Sequence, residues 1–171
     1  SLCIYGLEAN AAYSIEEVNL PGGYTLDEKS GENGKINAGK TMEAVFHNVY
    51  RADPAELANG IFCVQKQFPN WEAFQGLSFD IVLSSDQKNA PFPEGAQVTE
   101  KDGVRCMTKN VTNAQNIGFG TIKFTRPGTF KYQIREQIPA ENNRAGGVKY
   151  SQALYEVVVK VTDDGKGNLH A

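Results

Sequence analysis

Apolar and polar positions alternate with a period of two along most of the chain, a pattern that predicts β-strand nearly throughout. Phe130, Tyr132, Ile134 and Glu136 fall on one face, against Lys131, Gln133, Arg135 and Gln137 on the other. Leu77, Phe79, Ile81 and Leu83 alternate with Ser78, Asp80, Val82 and Ser84, and Ile122 and Phe124 with Thr121 and Lys123. Arg126-Pro-Gly-Thr129 supplies a tight turn into the Phe130 strand. Val148-Lys-Tyr150 and the run 153–162 add further strands, the second with Tyr155, Val157, Val159 and Val161 on one face. Asp163-Asp-Gly-Lys-Gly-Asn168 reads as a hairpin turn, and Leu169-His-Ala171 begins its return strand. Only residues 52–58 predict a helical turn, with Asp53 as cap and Pro54 at the first position.

Strand patterns finish at Tyr50 and resume at Ile61, so residues 1–50 and 61–171 are expected as two domains joined by a linker at 51–60. The first segment is broken by Pro21-Gly-Gly, Gly31-Glu-Asn-Gly34 and Ala38-Gly39, and about 50 residues bury too little surface for a core of their own. It is therefore expected to be the later part of a β-sandwich, incomplete at its N-terminus. The second is expected to lack its last strand, because the hairpin turn at 163–168 calls for more strand than Leu169-His-Ala171 provides.

Four polar residues sit in apolar rows. Glu136 follows Phe130, Tyr132 and Ile134, where an ionised carboxylate is costly unless it is paired or protonated. Glu17 repeats this placement after Ala11, Tyr13 and Ile15, ending the same Tyr-x-Ile-x-Glu pattern; the adjacent Glu16 falls on the Ser14 side. Lys66 shares a row with Phe62, Val64 and Phe68, opposite Ile61, Cys63, Gln65 and Gln67, and Asn48 shares one with Met42, Ala44, Phe46 and Tyr50. Taken singly, a lysine snorkelling at a strand end and an asparagine bonded to backbone are both ordinary.

Composition narrows the range of functions. The 171 residues carry 17 basic and 20 acidic side chains, for a net charge of −3, without a basic cluster; this disfavours electrostatic binding to nucleic acid or an anionic membrane. No apolar run approaches the roughly 20 residues that span a bilayer. Cys3, Cys63 and Cys106 are widely spaced, with only His47 and His170 to join them, so zinc is not expected; a Cys63–Cys106 disulfide is compatible with an oxidising setting. The 163–168 turn lacks the spacing of a calcium loop, Asn110-Val-Thr112 is a sequon that matches by chance, and Leu20-Pro-Gly-Gly-Tyr24 is a turn rather than a sorting signal. Neither a phosphate loop nor a Ser/His/Asp set nor a carboxylate cleft stands out, so no conventional enzyme and no cofactor are expected.

As a set, the inward Lys, Glu and Asn resemble the isopeptide-forming immunoglobulin-like domains of Gram-positive surface proteins. Residues 61–171 are similar to the streptococcal pilin isopeptide-linkage type, through Val64-Gln-Lys66, Phe124-x-x-Pro-Gly-Thr-Phe-Lys-Tyr-x-Ile-x-Glu136 and Tyr155-Glu-Val-Val-Val-Lys-Val-Thr-Asp-Asp-Gly-Lys-Gly-Asn-Leu169. Residues 1–50 resemble the end of a collagen-binding-adhesin B-type domain, through Tyr13-Ser-Ile-Glu-Glu17 and Phe46-His-Asn-Val-Tyr50.

The resemblance implies an all-β architecture of tandem immunoglobulin-like sandwiches and a self-catalysed amide bond between Lys and Asn side chains, with Glu as catalyst. Carried over, Lys66 is the nucleophile and Glu136 the catalytic acid of the second domain, its Asn partner lying beyond Ala171. Asn48 is the acceptor and Glu17 the catalyst of the first, its Lys partner preceding Ser1. The implied role is a stalk or pilus-shaft segment of a secreted, cell wall-anchored surface protein, in contact with other domains of that protein or neighbouring pilins. The alternative is an adhesive module that binds a host matrix protein or glycan through its loops, the 86–99 connection being the best placed.

Overall fold

The computed structural model describes residues 2–69 and 71–171 and is nearly all β, with 14 strands and two three-residue 3-10 turns, Trp71–Ala73 and Glu141–Asn143. The chain divides into two compact units. Unit 1 holds the residues up to Asp53 together with Asp164–Asn168, and unit 2 holds Pro54–Asp163 with Leu169–Ala171.

In unit 1, β1 (Ala12–Ser14) pairs antiparallel with β3 (Asn33–Lys35), and β2 (Tyr24–Ser30) with β4 (Val45–Tyr50), with a bulge between Leu26 and Glu28. The Tyr13 ring lies over Gly34, where a Cβ would stand 2.9 Å from it, and the Tyr13 hydroxyl donates to the Gly31 carbonyl at 3.0 Å. Every buried hydrophobic residue of the described chain belongs to unit 2. Unit 1 is thus held by strand pairing and surface aromatics, such as Tyr24 against Tyr50 at 5.0 Å, rather than by a core.

Unit 2 is built on a six-stranded antiparallel sheet in the order β14-β13-β12-β7-β9-β8, formed by Leu169–His170, Leu154–Asp163, Gly128–Gln137, Phe79–Ser85, Val104–Val111 and Thr99–Lys101. From Phe130 to Gln137 burial in β12 alternates without a break, as a strand with one face on the core requires. The register places Ile134 opposite both Leu83 and Tyr155, and Phe130 opposite Val159, so the apolar rows align into one inner face. Two short pairs cover that face: β5 (Ala55–Leu57) with β11 (Ile122–Phe124), and β6 (Cys63–Gln65) with β10 (Asn116–Gly118). Phe62 packs edge-on to Tyr132 at 5.4 Å, and Phe124 meets Phe130 at 5.0 Å, closing the core between the two layers.

Several elements differ from the periodicity reading. Residues 55–57 form a strand rather than a helical turn. Ala55 and Leu57 point inward around an exposed Glu56 that pairs with Lys123 at 3.1 Å, and pairing with β11 overrides the local cap signal. Residues 148–150 are not in a strand. Val82 and Ser84, which alternate with the row of Phe79, Ile81 and Leu83, are buried as well, because β7 is central and their cross-strand neighbours on that face are Arg135, Thr108, Gln133 and Cys106. All three cysteines are free, so the Cys63–Cys106 bridge is not formed; Cys106 lies 3.2 Å from the Thr99 hydroxyl.

The fully buried Tyr132 donates its hydroxyl to the Pro91 carbonyl at 2.6 Å, and burial raises its pKa well above the usual phenol range. An acid whose folded pKa is raised contributes stability that is present below its unfolded pKa of about 10 and lost as pH climbs beyond it. Unfolding followed from neutral to strongly alkaline pH should therefore show falling stability above about pH 10. A Tyr132→Phe protein should show a shallower decline.

Candidate functional site

Lys66 immediately follows β6 in one layer, and Glu136 is the penultimate residue of β12 in the other. The Lys66 Nζ donates to Glu136 Oε2 at 2.7 Å, and the two side chains keep only 11% and 3% of their exposure. The ammonium also stands 4.2 Å from the centroid of the Phe79 ring, a cation–π contact worth about 2 kcal/mol when desolvated. Phe68, Trp71 and Tyr150 pack around Phe79 at 5.4, 5.5 and 5.7 Å, so the amine is held between a carboxylate and an aromatic cluster. Glu136 Oε1, by contrast, is buried without a hydrogen-bond partner among the described residues. A buried carboxylate oxygen left unmatched is expensive, and its position marks where a donor is missing.

In unit 1, Asn48 lies on β4 and Glu17 lies three residues past the end of β1. Asn48 Nδ2 donates to both carboxylate oxygens of Glu17, at 2.8 and 2.9 Å, while Asn48 Oδ1 is buried without a partner among the described residues. The alternation reading places Glu17 inward beside Ile15. Here β1 stops at Ser14, both residues are exposed, and the pair forms in the open manner of a unit without buried hydrophobics.

Each half of the sequence pattern is therefore brought together within its own unit. Lys66 meets Glu136 and Asn48 meets Glu17, and each pair retains one buried atom with unused hydrogen-bonding capacity. The periodicity reading did not single out Trp71, whose indole Nε1 is also buried without a partner among the described residues. The aromatic density of Phe68-Pro-Asn-Trp71-Glu-Ala-Phe74, just past Lys66, was the available signal.

Other sites considered from sequence are occupied by local structure. In the 163–168 turn, Asp164 Oδ1 accepts from the Lys166 and Asn168 amides, and Oδ2 from Asn168 Nδ2, as in an Asx-type turn. Asn110 donates to Asp80 at 2.8 Å. Among the described residues no cluster of three or more His, Cys, Asp or Glu side chains could hold a metal, and no helix is long and apolar enough to cross a membrane.

The nearly all-β architecture is that of a pilin-type isopeptide domain with an immunoglobulin-like fold. Residues 62–171 match the family model FctA, described as a Spy0128-like isopeptide containing domain, and the chain belongs to that family. Comparison with curated proteins and with solved structures gave no match.

Proposed function

We propose that unit 2 forms an intramolecular isopeptide bond between Lys66 and an asparagine on a further strand of the same protein, with Glu136 as proton relay. The observation that carries this reading is the buried 2.7 Å contact between Lys66 Nζ and Glu136 Oε2, with Oε1 left unmatched. Proton transfer along that contact turns an ammonium and a carboxylate into an amine and an acid, the two forms the reaction needs. The amine nitrogen attacks the asparagine Cγ, while the protonated Glu136 polarises the amide carbonyl. The C–N bond to the original amide nitrogen then breaks. That nitrogen leaves as ammonia with the first proton lysine gave to Glu136, and the second proton shed by the attacking nitrogen passes to Glu136, which ends protonated, so no external reactant is required. Fixed proximity can contribute roughly 7–11 kcal/mol towards the barrier.

The apolar groove lined by Leu57, Ile61, Phe62, Ile134, Val157 and Ala171 is a fitting seat for the acceptor strand. Beside it, β14 pairs only with Thr162 and Asp163 of the ten-residue β13, and Tyr155 stays 63% exposed although it faces inward. In unit 1 the corresponding roles fall to Asn48 as acceptor and Glu17 as relay, with a lysine from elsewhere in the protein.

Two crosslinked units of streptococcal pilin isopeptide-linkage type and collagen-binding-adhesin B type suit a stalk or pilus-shaft segment on a Gram-positive cell wall. Neighbouring pilin or surface-protein domains are its partners. The adhesive alternative rests on the 86–99 connection. That loop is tied down at its base: Arg105 donates to the Lys88 and Ala90 carbonyls at 3.1 and 2.9 Å, and Tyr132 to that of Pro91.

Intact mass of the full-length protein tests the reading. The expected result is a deficit of one ammonia per bond, with the unit 2 deficit abolished by Lys66→Ala and by Glu136→Gln. A wild-type mass equal to that calculated from the sequence would overturn it.

A further inference from the structure

Among the described residues of unit 2, two buried side-chain atoms have no hydrogen-bond partner, and they are of opposite kind: Glu136 Oε1 can accept and Trp71 Nε1 can donate. Both belong to the cluster around the Lys66 amine. Glu136 holds Lys66 directly, and Trp71 stands perpendicular to Phe79, at 88° and 5.5 Å, on the ring whose centroid is 4.2 Å from Nζ. Trp71 is the single tryptophan of the sequence, and Phe68 and Phe79 fix its ring edge-on. A buried indole N–H normally finds an acceptor, so an orphan donor and an orphan carboxylate oxygen in the cluster around one amine call for one group with both functions.

A primary carboxamide has that combination, an N–H donor and a C=O acceptor on one carbon. We propose that Trp71 is a catalytic residue of the isopeptide reaction, donating its indole N–H to the acceptor carbonyl oxygen while Glu136 Oε1 receives the amide N–H. This inference rests on the Lys66–Glu136 reading above and adds a fixed donor on the side where negative charge develops. As Lys66 nitrogen bonds to Cγ, the carbonyl π electrons move to oxygen. Trp71 stabilises that oxygen without gaining or losing a proton, and the electrons return as ammonia departs. In the product the same N–H remains bonded to the isopeptide carbonyl.

Trp71→Phe keeps an aromatic ring and removes the donor. In full-length protein made by cell-free synthesis and followed by mass from the moment of synthesis, the rate of ammonia loss from unit 2 should fall about 100-fold, as for removal of one oxyanion-hole donor. A second readout does not depend on rate. In wild-type protein the Trp71 indole N–H, identified by its disappearance in Trp71→Phe, should be protected from hydrogen exchange after the bond forms. In a Lys66→Arg protein, which cannot form the bond, that protection should be weaker. An unchanged rate in Trp71→Phe, or an indole N–H that exchanges freely in crosslinked protein, overturns the role of Trp71 while leaving the Lys66–Glu136 reading intact. Absence of ammonia loss from wild type overturns both. Should Trp71→Phe fail to fold, the exchange measurement on wild type and Lys66→Arg decides alone.

Discussion

Replacing Lys66 by methionine in the chain described here is expected to destabilise unit 2 by about 3–5 kcal/mol, far more than the lost aliphatic packing explains. Methionine fills the stem of the lysine but leaves the Glu136 carboxylate, 3% exposed and with Oε1 already unmatched, without a partner. Adding Glu136→Leu should restore most of that loss, because a buried ion pair replaced as a whole by apolar side chains is often neutral or stabilising. Urea denaturation of the two variants separates these cases. If the single and double variants are equally destabilised, the loss comes from packing and not from the orphaned charge. The pair is thus weak evidence for stability as such, and its retention in the core is better explained by the reaction proposed for it.

The second expected result concerns the bond itself. A crosslink from Lys66 to a strand past Ala171 encloses more than a hundred residues, and in the chain-entropy account a loop of about 100 residues contributes roughly 4.7 kcal/mol. For a domain of this size, that corresponds to a rise in Tm of about 15–25 °C. Calorimetry on full-length wild type and on Lys66→Arg, which keeps a cation beside Glu136 but cannot form the bond, should show a gap of this order. Equal Tm values would mean that the bond does not form or that it closes a loop already restricted in the unfolded chain.

The inner face of unit 2 was largely legible in the sequence, because period-two alternation is strict in β12 from Phe130 onward and register is locked once one face is buried. It placed Glu136 inward after Tyr132 and Ile134, and placed Lys66 in the row of Phe62. The contact between them was legible only through the family resemblance and not from alternation, since it depends on how β6 and β12 face each other across the layers, 70 residues apart. The reading failed where pairing outweighs local preference, as at 55–57, and alternation by itself does not tell that a central strand buries both faces, as at Val82. It also failed at Glu17, because alternation carries meaning only as far as the strand continues and β1 ends at Ser14. Trp71 lay outside any strand pattern, and only its unsatisfied N–H draws notice to it.

The base of the 86–99 connection is secured almost wholly through main-chain groups. The carbonyls of Lys88, Ala90 and Pro91 accept from Arg105 and Tyr132, and Gln87 bridges the Thr129 carbonyl and the Lys131 amide. Carbonyls are the same whatever side chain is attached, so the path of the loop is indifferent to the identity of its exposed residues, such as Lys88, Asn89 and Glu94. Sequence change at those positions is expected to leave the scaffold undisturbed, so the outward chemistry of the loop can vary while its course stays fixed.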